Sequence, residues 1–483
     1  MALRRTSLAL VLLVAACLSL AGCGQPVARD SHAVPVAGRV FLDGNANGRF
    51  DTGEAGLPGV PVTDGVTFVC TGPDGRYAMA AGRDALVGPG GPPIVSVSFP
   101  SGTWPVTGWF RRVDAAADAA AVDFPLRRDA QGVPFVFVHA TDPHVPRGGR
   151  EKFIDFRADM RDLAGVARFC VLTGDLVDLS DSHTFAEGTA EFEYLAEQTK
   201  VFPMPLFCTA GNHDAAGVNA KPDAGWDKAH PMYGYGYYRK VVGPLRWSFD
   251  YAGVHFVGID FSHVDAAGKW QWGSPDSAVA WLAQDLAGVK PGSRVFLFVH
   301  SPVGQEPKKG APPESRPHLP PDLLRRYHVT CIFAGHSHRD VAGTYAGIPM
   351  TESASLSQIF DDKDRSVGYR LVQVGQLGMD TFYRATGDPH AITLDYPRHK
   401  DAIRPGDAIC GAFWDPQGEI ERLTVKVDDV ETEVPFIRGP LWCRFAARPD
   451  LAGSKSGPHT LSIAVWAGQQ AWRYTGTYPW PKK

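Results

Sequence analysis

Five short clusters of metal-capable side chains recur between residues 142 and 338: Asp142-Pro143-His144, Gly174-Asp175-Leu176-Val177-Asp178, Gly211-Asn212-His213-Asp214, His300, and Gly335-His336-Ser337-His338. Their types suit divalent cations, since a carboxylate can bridge two ions, a neutral imidazole suits a transition metal, and an Asn carbonyl adds an oxygen without charge. The chemistry open to such a set is metal-assisted hydrolysis. A lone His-x-His pair carries little information, but five clusters in this order point to one shared site.

Each cluster closes an apolar, strand-like run. Phe135 to Ala140 precedes Asp142, Phe169 to Thr173 precedes Gly174, Pro205 to Ala210 precedes Gly211, and Val295 to Val299 precedes His300. Helical patterns near Glu151 to Ala167 and Glu187 to Lys200 lie between them. Such alternation predicts an α/β core with its ligands at the carboxyl ends of the strands, and the glycines permit the tight turns this needs. On either side the text changes to short β runs and turns. The expected organisation is a signal at 1–22, a tether at 23–36, a small all-β domain at 37–126, the α/β unit at 133–388 and a β-sandwich at 389–483.

The ordered set resembles the calcineurin-like metallophosphoesterase superfamily, whose motifs are Asp-x-His, Gly-Asp-x-x-Asp, Gly-Asn-His-Asp/Glu, a lone His after a strand, and Gly-His-x-His. The resemblance implies an αββα sandwich and hydrolysis of a phosphomonoester or phosphodiester by a metal-bridged hydroxide. Carried over by position, one ion takes Asp142, His144, Asp175 and His338, and the second takes Asp175, Asn212, His300 and His336. Both would be Mn, Fe, Zn or Co. His213 is then the general acid to the leaving oxygen, Asp178 the carboxylate that orients it, and Asp214 a structural turn acceptor. Asp178 stands where purple acid phosphatases use a Tyr ligand, and Leu179-Ser180 replaces the Arg-Gly of protein Ser/Thr phosphatases, so neither branch is expected.

The aromatic insertion from Ala215 to Lys240 reads either as a packed connecting loop with its Tyr hydroxyls bonded or as a substrate lip, with Tyr235 for stacking and Arg239 for phosphate. His139 and His255 lie inside apolar strands and read as core, while His183, His230 and His263 read as solvated loop residues. Cys170, Cys208 and Cys331 read as buried thiols. Cys410 and Cys443 are candidates for a disulfide. Trp466, Trp472, Tyr474 and Trp480 read as a packing surface of the last domain.

Arg4 and Arg5, an apolar run from Leu8 to Leu20 and Leu20-Ala21-Gly22-Cys23 read as a secretory signal and resemble a bacterial lipobox, which makes Cys23 the lipidated residue. The expected location is periplasmic or cell-surface, anchored to a bacterial membrane. Asp43 to Glu54 fits D-x-N-x-N-G-x5-E, predicting a Ca²⁺ loop built from Asp43, Asn45, Asn47, Arg49, Asp51 and Glu54. With 48 Lys and Arg against 52 Asp and Glu, the net charge is -4, which removes the basic field that nucleic-acid binding needs. The competing function is a catalytically inactive adhesin or glycan-binding lipoprotein. A complete ligand set favours the enzyme, a phosphoester being its substrate.

Overall fold

The computed structural model describes residues 33–82, 90–113, 121–146, 150–265, 267–304, 319–358, 366–388, 390–398, 401–404, 406–449 and 457–479. The signal segment, Cys23 and Trp480 lie outside the described residues.

Two mixed sheets form the central unit. In the first, β1 (Phe135–Ala140) lies parallel to β2 (Ala167–Thr173), and β2 parallel to β3 (Leu206–Thr209). In the second, β4 (Trp247–Tyr251) pairs antiparallel with β5 (Val254–Gly258), and an outlying hairpin joins β6 (Ser262–Val264) to β7 (Trp270–Trp272). The second sheet continues through β8 (Arg294–Phe298), β9 (Val329–Ala334), β10 (Val341–Tyr345) and β11 (Ile348–Glu352), in the order β4-β5-β8-β9-β11-β10. The first sheet is closed by β12 (Gly368–Val374) and β13 (Met379–Ala385), in the order β3-β2-β1-β12-β13.

The two sheets face one another through aromatic side chains. Phe137 of β1 meets Phe256 at 5.4 Å and Phe333 at 5.6 Å between ring centroids, and Phe169 of β2 meets Phe249 at 5.3 Å. The opposite face of the first sheet, with Val138, Cys170 and Leu172, packs on α1 (Arg150–Asp162) and α2 (Phe185–Lys200) through Phe153, Phe156, Phe192 and Leu195. A short α3 (Gly236–Val241) joins this layer. The far face of the second sheet, with Val257, Leu297 and Ile332, packs on α4 (Asp276–Ala287) and α5 (Pro321–Arg326) through Trp281, Leu282 and Leu324. Strands covered on both faces read as continuous apolar runs because neither face meets water; β1, with every residue buried, is the clearest case.

The N-terminal strands make two small sheets that seat on this core. Phe99 stacks on Phe249 at 5.0 Å, and Trp281 donates its indole N–H to Thr63 Oγ1 at 2.9 Å. The first strand is Val34–Leu42, and its residues 34–36 pair with Met79–Ala81. The expected tether therefore gives way to sheet by Val34. At the other end, two four-stranded sheets enclose Phe413, Phe445, Val425 and Ile463. They meet the central unit where Phe382 of β13 stacks between Trp414 (5.9 Å) and Trp442 (5.7 Å). Cys410 and Cys443 are free thiols on neighbouring strands, because the register sets Cys410 opposite Ala446 and Cys443 opposite Phe413. The candidate disulfide is absent for that reason.

His255 is buried as expected but strongly partnered, with Nδ1 at 2.7 Å from Asp250 and Nε2 at 2.7 Å from Asp285. Burial opposes its charge, yet these carboxylates outweigh it and raise the imidazole to about 10. No helix among the described residues is long and apolar enough to cross a membrane.

Candidate metal centre

Asp142, Asp175 and Asn212 follow the ends of β1, β2 and β3, and His300 and His336 follow β8 and β9, so both sheets deliver their ligands to one edge. Turning sharply there demands unusual backbone. Asp142 (φ 52°), His144 (45°), Asp175 (48°), His336 (68°) and His338 (54°) all adopt left-handed conformations, which cost non-glycine residues about 1–3 kcal/mol each and collect at functional sites. Two glycines are required by close approach. A Cβ on Gly211 would stand 2.2 Å from the Asp175 backbone nitrogen, and one on Gly335 would stand 1.8 Å from Thr141 Oγ1.

The side chains converge as two adjoining groups. In one, His338 Nε2 lies 3.2 Å from Asp142 Oδ1 and 3.2 Å from His144 Nε2. In the other, His300 Nε2 lies 3.2 Å from Asp175 Oδ2, 3.1 Å from Asn212 Oδ1 and 3.2 Å from His336 Nδ1. Asp175 Oδ2 is also 4.0 Å from His144 Nε2, which sets this carboxylate between the groups.

The opposite ring nitrogens explain what the converging atoms are for. His144 Nδ1 donates to the Asp178 carbonyl at 3.1 Å, His300 Nδ1 to that of Thr173 at 2.7 Å, and His338 Nδ1 to that of Gln358 at 3.1 Å. With Nδ1 so held, Nε2 faces the centre and offers its lone pair once a cation displaces the proton there, the pattern of metal-ligating histidines. Asp142 Oδ2 accepts from Thr141 Oγ1 and from the His336 backbone N–H, while its Oδ1 is buried with no hydrogen-bond partner. A buried carboxylate oxygen facing imidazole lone pairs is satisfied by a cation, so the residues fit the group.

The electrostatics agree. Burial opposes charge on His300, but Asp175 outweighs it and raises His300 to about 9, whereas burial and the neighbouring His300 push His336 down to about 4. Carboxylates that hold protons nearby in this way exchange them for metal. Asp214 is the expected turn acceptor: Oδ1 takes the Leu176 and Val177 amides and Oδ2 takes that of Gly211. His139 bonds Thr173 Oγ1 and is held down to about 3 by burial and by Arg370, a neutral core residue.

His213 presents its ring to the same edge, with Nε2 3.9 Å from Asp175 Oδ2. Its Nδ1 bonds Asp181 Oδ1 at 2.6 Å. The carboxylate that orients it is therefore Asp181 and not Asp178, whose carbonyl is taken by His144 and whose carboxylate lies beside His183 and Glu191. The turn after Asp175 brings one acid to His213 and turns the other away.

Of the two readings of the 215–240 insertion, the packed loop is the one found. Tyr235 is 1% exposed and bonds Ser262 Oγ at 2.5 Å, and Arg239 is 8% exposed and donates to the Gly90 and Pro92 carbonyls. Neither is open to substrate, because the insertion folds into α3 and packs its tyrosines inward. Beside the centre stands instead the β6–β7 hairpin, whose half-buried Trp272 meets the His336 ring edge-on at 4.9 Å and Trp270 at 4.4 Å. A separate cavity of about 540 Å³, lined by Tyr383, His390, Trp472 and Tyr474, opens against the last hairpin, away from the metal ligands.

Residues 135–340 match the family model described as calcineurin-like phosphoesterase. The chain therefore carries a calcineurin-like phosphoesterase domain over those residues. Two curated relatives are each similar over about half of the chain. A Rhodococcus erythropolis protein named "Probable cyclic nucleotide phosphodiesterase" is 26% identical over 256 residues, covering 49% of this chain and 79% of its own. A serine/threonine-protein phosphatase of Bos taurus is 23% identical over 247 residues, covering 46% of this chain and 75% of its own. Among solved structures, the Plasmodium inner membrane complex anchor GAP50 is similar at TM-score 0.35 and 14% identity, covering 52% of this chain and 84% of its own. With this domain, the chain is a hydrolase acting on phosphoesters.

Proposed function

We propose that the chain hydrolyses a phosphomonoester or phosphodiester at a dinuclear metal centre, outside the cytoplasm, on an αββα scaffold. The observation that carries this reading is the pair of donor groups sharing Asp175: Asp142, His144 and His338 on one side, Asn212, His300 and His336 on the other. When bound, two divalent ions supply Lewis acidity to the phosphoryl oxygens and lower the pKa of a water. The protein's own part is to fix the ligand rings through backbone carbonyls, to hold Asp175 between both groups, and to keep a proton on His213 facing the leaving oxygen. Trp272 beside His336 favours a planar leaving group, aryl or nucleoside, by stacking. Stripping the protein with a chelator should abolish turnover of a phosphoester panel, and Mn, Fe, Zn or Co should restore it. Full turnover by demonstrably metal-free protein would overturn the reading.

The export signal and Cys23 support a lipid anchor on a bacterial membrane. Cys23→Ser should then release the protein from the membrane fraction; unchanged sedimentation with membranes counts against lipidation.

The N-terminal loop supports a structural Ca²⁺. Asp43 Oδ2 accepts from the Gly48 amide at 2.7 Å, Asp51 Oδ2 from Asn45 and Asn47 at 2.9 and 2.7 Å, and Glu54 closes the loop onto the Gly44 and Asp51 amides. These oxygens suit a hard cation, and Gly48 supplies the positive φ of the sixth position. At a dissociation constant on the order of 10⁻⁴ to 10⁻³ M, ~10 mM Ca²⁺ should stabilise the folded form by ~1–3 kcal/mol. Thermal unfolding of the full chain with and without Ca²⁺, beside Asp43→Ala and Glu54→Ala, reads this. A wild-type curve that does not move, or variants that respond equally, leaves the loop an Asn/Gly turn.

A further inference from the structure

We propose a third divalent-cation site, formed by Asp178, His183 and Glu191, that pins the turn carrying the active-site carboxylates. A ligand atom from each of these residues lies within 4.8 Å of the others. His183 Nδ1 is 2.5 Å from Glu191 Oε1. The Glu191 side chain is only 4% exposed, and its second oxygen, Oε2, is buried with no hydrogen-bond partner. A buried carboxylate oxygen left without a donor is costly, and a cation among these three groups satisfies it. His183, which reads in the sequence as a solvated loop residue, is 13% exposed and part of this cluster. One imidazole and two carboxylates fit Mn²⁺, Fe²⁺ or Zn²⁺, with water completing the shell.

The position gives the site its role. Asp178 and His183 bracket the turn from which Asp181 reaches His213, Ser180 Oγ reaches the His213 carbonyl at 2.5 Å, and the Asp178 carbonyl holds His144. Glu191 stands two turns into α2, which opens with a Thr184–Glu187 capping box. An ion there fastens the turn to the helix, so that one buried anchor sets the position of both a metal-ligand ring and the proposed acid. This goes beyond the dinuclear reading and does not depend on it.

The test is a crystal of the full chain grown at saturating Mn²⁺ and measured at the manganese edge, with metal content of the desalted protein determined in parallel. An anomalous peak between Asp178, His183 and Glu191 is expected, and Glu191→Gln and His183→Asn should each lower the bound metal by one ion per chain. No peak there, or variants that keep the wild-type metal count, overturns the proposal. The crystal of the wild type decides the matter even if a variant fails to fold. A peak at this position without the two at Asp175 would defeat the dinuclear reading and leave this one standing.

Discussion

If the proposed dinuclear centre is right, Asp175→Asn should cost the protein both ions and its turnover. Asp175 Oδ2 faces His300 at 3.2 Å and His144 at 4.0 Å, and its Oδ1 accepts the His213 backbone N–H at 2.8 Å. The amide keeps the size and tolerates the left-handed backbone at this position, but it removes the charge that Asp175 places between both donor groups. A carboxylamide cannot bridge two dications as a carboxylate can, so each group loses a ligand at once. The loss of activity should exceed the roughly 10- to 100-fold typical of removing an outer partner of a metal ligand. Metal content and rates on the phosphoester panel check this together, with circular dichroism confirming the fold. A variant that retains two ions and near-normal rates would show that the bridging assignment is wrong.

The convergence of these side chains was legible in the sequence because its signal is local. Each ligand follows a run whose burial on both faces makes it uniformly apolar, and the glycines at 174, 211 and 335 mark where backbone and ligand crowd. What lies around the ligands depends on contacts between distant residues. Asp178 and Asp181 sit three apart on one turn, and spacing does not say which carboxylate faces His213; the turn spends the Asp178 carbonyl on His144 and leaves Asp181 for the acid. The tyrosines of 233–238 look like a lip in the text, yet α3 lays them against α2 and the Gly211 loop, where Tyr235 reaches the Gly211 carbonyl and Ser262. Its true neighbour in the cleft, Trp272, belongs to strands of three residues, too short for a periodic pattern to show. The strand at Val34 was hidden for a similar reason: its partner, Met79–Ala81, lies more than forty residues on, and Pro35 reads as linker.

The geometry around His213 gives the second large effect. His213 is a part-exposed imidazole of the centre, 23% open, with Nδ1 on Asp181 and Nε2 toward Asp175. Burial opposes its protonation, but Asp175 and Asp181 outweigh that and raise it to about 10 in the metal-free protein, favouring the protonated form that a general acid requires. Cations on Asp175 would weaken that carboxylate's share and leave Asp181 as the partner that fixes the ring. His213→Ala should therefore keep both ions and slow esters with poor leaving groups by roughly 10²- to 10⁴-fold. Activated aryl esters, whose leaving oxygen needs little protonation, should suffer much less. Asp181→Asn keeps a hydrogen-bonding group at Nδ1 but loses the charge that favours the imidazolium. It should show the same leaving-group dependence at roughly 10- to 100-fold, whereas Asp178→Asn should not. Equal losses on both classes of ester, or loss of metal in His213→Ala, would assign His213 to ligand binding or to structure instead of proton transfer.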